Sequence, residues 1–391
     1  MRPKLFTPRN LILALVALLL AAAWFVWQRG GGKLAFIDSV PSTAGKIVFA
    51  RDGDLYMADG ATGEKSVALT DGGKGADGEP AWSEDGETLA LTSDRGGVVR
   101  QLYNMNAVPG ANVAVLTNSS STKEQPQWGP EGDIYFLDGG RIAKLTPKTA
   151  DMDAIFPTAE QKRKALADLF GAGGISRFVV SPDGKRFYAA VRQEQGEALI
   201  VFVPEENTVA AFGIGESILL RMTGAGELIA VIRGGEPFPQ PLAIMTPETV
   251  QQMNASPTFT PPPLPRYTTS ETSVVLKINA AFAIEPMTPV PFLPSGLAVS
   301  PDGTRAAITG DGAEFPGVFV IPLDGTEKGG LVLNLPASEP TFSPDGTRIA
   351  FVSGVDVFTT KTAPAATDTP FNLTKGQGTN TSPAWSPAGR E

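Results

Sequence analysis

Pro80-Ala81-Trp82-Ser83-Glu84-Asp85-Gly86 is a short phrase to which the chain keeps returning. It recurs as Pro126-Gln127-Trp128-Gly129-Pro130-Glu131-Gly132 and as Phe178-Val179-Val180-Ser181-Pro182-Asp183-Gly184. Further copies are Leu297-Ala298-Val299-Ser300-Pro301-Asp302-Gly303, Pro340-Thr341-Phe342-Ser343-Pro344-Asp345-Gly346 and Pro383-Ala384-Trp385-Ser386-Pro387-Ala388-Gly389. Each is a strand-forming run that ends in an aromatic or β-branched residue, followed by a turn. Pro supplies the φ near −65° that a β-turn needs, and Gly takes the position that needs φ > 0. The Asp side chain can accept hydrogen bonds from backbone N–H groups of the turn.

The closing glycines stand at 86, 132, 184, 303, 346 and 389; two intervals are 43 residues and one is 46. Between the first two copies lie strands at Thr88–Thr92 and near Arg100–Ala107 and Asn112–Thr117. One unit is therefore the phrase plus three strands. A period of about 40–45 residues with four strands is the signature of β-propeller blades. The fold class is all-β, a β-propeller of four-stranded blades. The repeated Trp82, Trp128 and Trp385 stand at one equivalent position, which favours packing between blades over a ligand-stacking box.

Two intervals are long. That from Gly132 to Gly184 is 52 residues and carries an insert. Thr158-Ala159-Glu160-Gln161 reads as a capping box opening a helix through Phe170, stopped by Gly171. This helical insert near 158–171 is expected to pack over a blade edge. The interval from Gly184 to Gly303 is 119 residues. A degraded copy fits at Leu219-Leu220-Arg221-Met222-Thr223-Gly224-Ala225-Gly226, with a strand at Glu227–Arg233. The stretch near 256–290 is a Pro-rich insert or a degenerate blade, because Pro is poor in a central strand. Seven blades is the favoured count. Eight follows if Ser256–Pro261 is a further copy, and six is the other alternative.

The order of pieces closes the ring. The copy at Pro383–Gly389 has no strand after it, and the strands between Gly45 and Thr70 have no copy before them. The C-terminal strand should thus be the innermost strand of a blade whose other three come from the N-terminal side.

The phrase, the following Leu89-Ala90-Leu91-Thr92-Ser93-Asp94-Arg95-Gly96 and the strand Leu55-Tyr56-Met57-Ala58-Asp59 resemble TolB-type β-propeller repeats. The resemblance covers roughly residues 45–389 and is weak from 215 to 290. It implies an extracytoplasmic scaffold for protein contacts. The chain departs from TolB proteins, which are soluble and periplasmic and carry an α/β domain before a six-bladed ring. Their roles in envelope integrity do not transfer, and a shared propeller says little about function.

The chain has 391 residues, no Cys and no His, and a net charge of −9. Thiol nucleophiles, disulfides and every imidazole acid–base step are excluded. Residues 10–391 carry −12, which argues against nucleic acid or an anionic membrane surface as a partner. No G-x-S-x-G elbow or phosphate-binding Gly loop occurs. No metal or cofactor is expected; Asp52-Gly53-Asp54 lacks the remaining ligands of a calcium loop and reads as a turn.

Residues 1–9 form a basic tail. Leu11 to Trp27, LILALVALLLAAAWFVW, is 17 residues without a charge, about 25 Å as a helix. Residues 10–28 read as a transmembrane anchor, or as a signal peptide cleaved after Ala21-Ala22-Ala23. Basic residues before the span place residues 45–391 outside the cytoplasm, beyond a tether at 29–44.

One surface expectation concerns the loops between the second and third strands of each blade, which share a face with the loops between blades. That face gathers Asp52, Asp54, Asp71, Asp77, Glu79, Asp94, Asp138, Glu194, Glu236, Asp311, Glu314 and Asp356. Asp52, Asp54, Asp94, Asp138, Asp311 and Asp356 are the candidate acidic binding residues, for a basic partner or a cation. Turn preference for Asp alone also accounts for them. The function expected is a membrane-anchored, non-enzymatic scaffold, a monomeric ring with a protein partner. The alternatives are a carbohydrate-active enzyme or a ligand-sensing ectodomain using carboxylates in the central channel.

Overall fold

The computed structural model describes residues 45–60, 62–63, 66–71, 75–158, 174–246, 248, 273–287, 290, 292–310, 316–325, 329–365 and 368–387. The basic tail, the proposed anchor, the tether and nearly all of the helical insert lie outside these residues.

The described residues begin with three strands of one sheet, β1 (Lys46–Arg51), β2 (Asp54–Asp59) and β3 (Val67–Ala68). The second sheet is β4 (Asp77–Trp82), β5 (Thr88–Ser93), β6 (Gln101–Asn106) and β7 (Ala114–Val115). The third is β8 (Lys123–Trp128), β9 (Ile134–Asp138), β10 (Ile142–Thr146) and β11 (Asp151–Phe156). The fourth is β12 (Ile175–Val180), β13 (Phe187–Arg192), β14 (Glu197–Val203) and β15 (Thr208–Gly215). The fifth opens with β16 (Ser217–Met222) and β17 (Leu228–Arg233). The chain then leaves it for β18 (Glu236–Met245), which pairs with β15 as a fifth strand of the fourth sheet. It returns as β19 (Val274–Ile278) and β20 (Ile284–Pro286) to complete the fifth sheet. The sixth is β21 (Gly296–Val299), β22 (Arg305–Gly310), β23 (Gly317–Pro322) and β24 (Gly330–Leu333). The seventh is β25 (Ser338–Phe342), β26 (Arg348–Ser353), β27 (Asp356–Lys361) and β28 (Phe371–Asn372). Last comes β29 (Asn380–Trp385), the inner strand of the first sheet, in the order β29-β1-β2-β3.

The seven sheets are the blades of a propeller, so the count of seven stands and eight and six do not. The degraded copy at Leu219–Gly226 is a true blade opening. Residues 273–286 are not a further blade: they are the outer half of the fifth. The Pro-rich core of that insert, Ser256–Arg266, lies outside the described residues. The latch is antiparallel, pairing Ile47 with Trp385 and Arg51 with Asn380.

The blades are held together by their faces. Side chains alternate along a strand, and here both faces are covered. Ile47 and Phe49 join a buried cluster with Ala350, Val352 and Val357 of the seventh blade. Val48 and Ala50, one residue on, join a cluster with Leu89, Leu91 and Met105 of the second. In β17, Leu228, Ala230 and Ile232 face the fourth blade, while Ile229 and Val231 face the sixth. This is why second strands such as LIAVIR read as unbroken apolar runs rather than as alternation. Each fully buried Ile, Leu or Phe contributes about 1.5–3 kcal/mol.

Candidate functional site

The repeated phrase is occupied with its own turn. Ser83 Oγ donates to Asp85 Oδ1 at 2.6 Å and accepts from the Thr88 N–H at 2.9 Å. The Glu87 N–H donates to the same Asp85 oxygen at 2.9 Å. Ser181 with Asp183, Ser300 with Asp302 and Ser343 with Asp345 repeat the pattern. Serine hydrogen bonds hold Asp85, Asp183 and Asp302 below the usual carboxylate range. At Asp345 burial opposes ionisation, yet bonds from Ser343 and the Thr347 N–H still lower it.

The tryptophans of the phrase tie blades together. Trp82 Nε1 donates to Ala384 O at 3.1 Å, and Trp128 Nε1 donates to Ala81 O at 3.0 Å. Each indole thus reaches back to the preceding blade.

The loops between second and third strands carry the carboxylates singled out above. Asp52 and Gly53 have φ of 50° and 91°, the paired positive values of a tight hairpin turn. Asp52 Oδ1 accepts from the Thr379 N–H at 2.8 Å, pinning this turn to the latch strand's approach. Asp94 Oδ1 accepts from the Ala76 N–H at 2.6 Å. Asp54 Oδ1 accepts from Thr70 Oγ1 at 3.4 Å. Asp356 accepts from Thr374 Oγ1, the Gly376 N–H and Asn372 Nδ2 at 2.6, 2.8 and 2.9 Å. Burial opposes ionisation of Asp356, but these donors bring its carboxyl below the ordinary range. Asp311 and Glu314 lie outside the described residues.

These residues are not equivalent. Asp138 is a counterion: the fully buried Lys123 Nζ donates to it at 2.7 Å, and Arg141 stands at 3.8 Å. Burial opposes ionisation of Asp138, yet the bonds from Lys123 and Ser121 hold its carboxyl low. Asp77 is likewise paired, with Arg95. Asp52, Asp54, Asp94 and Asp356 make no ion pair among the described residues. They belong to the seventh, first and second blades, which are neighbours around the ring. Burial, then the charge of Asp77, raises the Asp54 carboxyl above its ordinary pKa, against the bond from Thr70 and the charge of Arg95.

Beside the central channel, the inner strands bulge where a residue precedes proline. Glu79, Gln125, Glu339 and Ser382 have φ of 50°, 53°, 50° and 53°. The side chains of Glu79, Gln125 and Glu339 reach the next blade. Glu79 Oε2 accepts from the Gln125 N–H at 3.1 Å, and Gln125 Nε2 donates to Ser176 O at 2.7 Å. Glu339 accepts from the Ser382 N–H. These channel-side carboxylates therefore serve the ring.

At the opposite end from the carboxylate loops, the turns of the phrase surround a cavity of about 590 Å³. Its walls include Trp82, Phe342, Trp385 and Met222, with Arg221 and Glu84 as charged side chains. Arg221 Nη1 donates to Leu220 O at 2.8 Å. Its side chain is exposed to water in the lumen. Sequence reading passed over Arg221. Its signal was available: the six other copies have Ala81, Gln127, Val179, Ala298, Thr341 and Ala384 at this position, none of them charged.

No protein-family model matches the chain. A relative from Bacillus subtilis (strain 168), described as uncharacterized peptidase YuxL, is 41% identical over 72 residues. The match covers 18% of this chain and 11% of that protein. Among solved structures, a functionally unknown protein from Desulfotomaculum acetoxidans DSM 771 superposes with a TM-score of 0.55 at 12% identity, over 88% of this chain and 99% of that one. Hydrazine synthase of Kuenenia stuttgartiensis gives 0.52 at 13% identity, over 81% and 90%. TolB from Acinetobacter baumannii gives 0.48 at 16% identity, over 88% and 67%. Such likenesses concern the fold alone, and the fold is that of a seven-bladed β-propeller.

Proposed function

We propose that the chain is a non-enzymatic interaction scaffold, held at the cell membrane by residues 10–28 with its propeller on the extracytoplasmic side, which docks a basic protein partner on the acidic sector of its rim. The observation that carries the reading is the contiguous set Asp52, Asp54, Asp94 and Asp356. Their carboxylates are held by hydrogen bonds but are not neutralised by an ion pair among the described residues. Fixed charges on a rigid ring cost little to organise on binding and steer an oppositely charged partner.

Asparagine at 52, 54 and 94 keeps an oxygen for each single hydrogen bond and removes the charge. The test is cross-linking of full-length protein in its native membrane, followed by capture and mass spectrometry. A basic partner recovered with the parent and lost with Asp52→Asn/Asp54→Asn/Asp94→Asn supports the reading. Equal recovery by both contradicts it. Protease added outside intact cells should remove the propeller, and full protection would overturn the orientation.

A further inference from the structure

Val98 is 100% exposed and Val355 is 50% exposed. Val98 stands in the loop between β5 and β6, and Val355 in the turn between β26 and β27. None of the other exposed large apolar side chains among the described residues lies in a loop between second and third strands. Single exposed apolar side chains are ordinary, but a hairpin turn favours Gly, Asn and Asp over valine. The position of Val355 is filled by Gly53 in the first blade and by Gly140 in the third. The two valines mark the ends of one continuous surface. The Val355 carbonyl accepts from the Asn380 N–H at 2.9 Å. Beside it, the Thr379 N–H donates to Asp52 Oδ1 at 2.8 Å, and the Asp52 N–H donates to Thr379 O at 3.0 Å. Gly53 O accepts from the Asp77 N–H at 2.7 Å. The Ala76 N–H donates to Asp94 Oδ1 at 2.6 Å, and the Gly97 N–H, next to Val98, donates to Asp94 O at 2.9 Å. This line runs from the seventh blade across the first to the second, and Asp356, Asp52, Asp54 and Asp94 lie along it.

From this juxtaposition we infer that the acidic sector takes a segment of a protein partner in which a basic stretch carries an apolar side chain at each end, with Val355 and Val98 as its apolar anchors. The inference rests on the docking of a basic partner proposed above and narrows what that partner presents. Opposite charge steers the segment onto the sector and fixes its register. The valines add contact that salt does not screen, since burial of apolar surface does not depend on charge. The hydrogen bonds hold the backbone beside each valine, so little ordering is required when they are covered. A purely basic segment would leave both valines in water.

Two sets of peptides titrated against the full chain test the inference: lysine-rich peptides in a series of lengths, and the same peptides with leucine at both ends. At about 300 mM salt, where exposed charges are largely screened, the leucine-ended peptide long enough to reach both valines should bind at least about tenfold tighter than its lysine-only counterpart, a difference of about 1.4 kcal/mol. Val98→Ser/Val355→Ser should remove that gain and leave the lysine-only peptides bound as by the parent. The comparison of peptides on the parent needs no variant, so it stands even if the double variant folds poorly. Equal affinity of the two sets at every length would overturn the inference and leave the acidic sector standing. A gain that survives in Val98→Ser/Val355→Ser would place the apolar contact elsewhere and overturn it as well. Failure of both sets to bind at about 20 mM salt, where screening is weak, would contradict the sector itself and the inference with it.

Discussion

Trp82 donates its indole N–H to the carbonyl of Ala384, 302 residues away in sequence, at 3.1 Å. The bond joins the second blade to the latch strand of the first. It accompanies the pairing of β29 with β1, so ring closure rests on both a strand ladder and a side-chain clamp.

Two substitutions test the clamp. Trp82→Phe keeps most of the packing and removes the bond, and should cost about 0.5–1.5 kcal/mol. Gly60→Ala should cost more, about 1–3 kcal/mol, because a Cβ there would lie 1.8 Å from Trp385 Cζ3. Urea unfolding of each variant beside the parent reads both. Unchanged midpoints would remove the latch from the account of stability.

Lys123 and Asp138 form a buried pair, and Lys123 Nζ also donates to Ser121 O at 2.9 Å. Lys123→Met should destabilise by about 3–5 kcal/mol, since it leaves a carboxylate without its main counterion. Lys123→Met/Asp138→Leu should cost less than the sum of the two single changes. Additive costs in a double-mutant cycle would show that the pair is not coupled.

The turn carboxylates predict a pH dependence. Asp302 and Asp345 have folded pKa values below the ordinary one, so the unfolded chain binds more protons in that interval. Their contribution is present above about pH 4, the unfolded value, and is lost as pH falls through the folded one. Asp302→Asn/Asp345→Asn should therefore be less stable than the parent at neutral pH, with the gap closing in acid. A gap independent of pH would mean that charge is not what the turns use. Asp54 has the opposite sign: its pKa is raised, so Asp54→Asn should leave stability unchanged or increased at neutral pH.

The propeller was legible because one phrase fixes one turn. Ser-Pro-Asp-Gly needs no long-range contact to specify its geometry, so copies at Ser181, Ser300 and Ser343 announce their blades. The fifth blade was harder, since Thr223-Gly224-Ala225-Gly226 has neither the Pro nor the Asp of the phrase, although it keeps the turn hydrogen bond, the Thr223 hydroxyl accepting from the Glu227 N–H, and the closing glycine with φ of 83°. The excursion of β18 was not legible at all. Pro237, Pro239 and Pro241 argue against a strand, yet a strand at the sheet's edge tolerates proline, and β18 pairs on one side only among the described residues. Its placement depends on Phe238 and Leu242 packing onto the fourth blade's core, a contact no local pattern encodes.

The candidate site was legible in part. Turn chemistry located the acidic loops, and the shared face followed from strand order. Which carboxylates keep their charge unpaired was not readable, because Lys123 lies 15 residues from Asp138 and meets it only through the pairing of β8 with β9. Arg221 was hidden for the opposite reason. It sits in the most degraded copy, where departure from the phrase reads as decay.

The acidic sector is the central claim, and its most direct test is the binding of a lysine-rich peptide to the full chain, with ionic strength varied. The parent should bind, and the affinity should fall steeply from about 20 mM to about 300 mM salt, as exposed charges are screened. Asp52→Asn/Asp54→Asn/Asp94→Asn should bind at least about tenfold more weakly at the lower salt, a loss of about 1.4 kcal/mol. Equal binding by the parent and the triple variant, with the same salt dependence, would contradict the assignment of that sector as the docking surface.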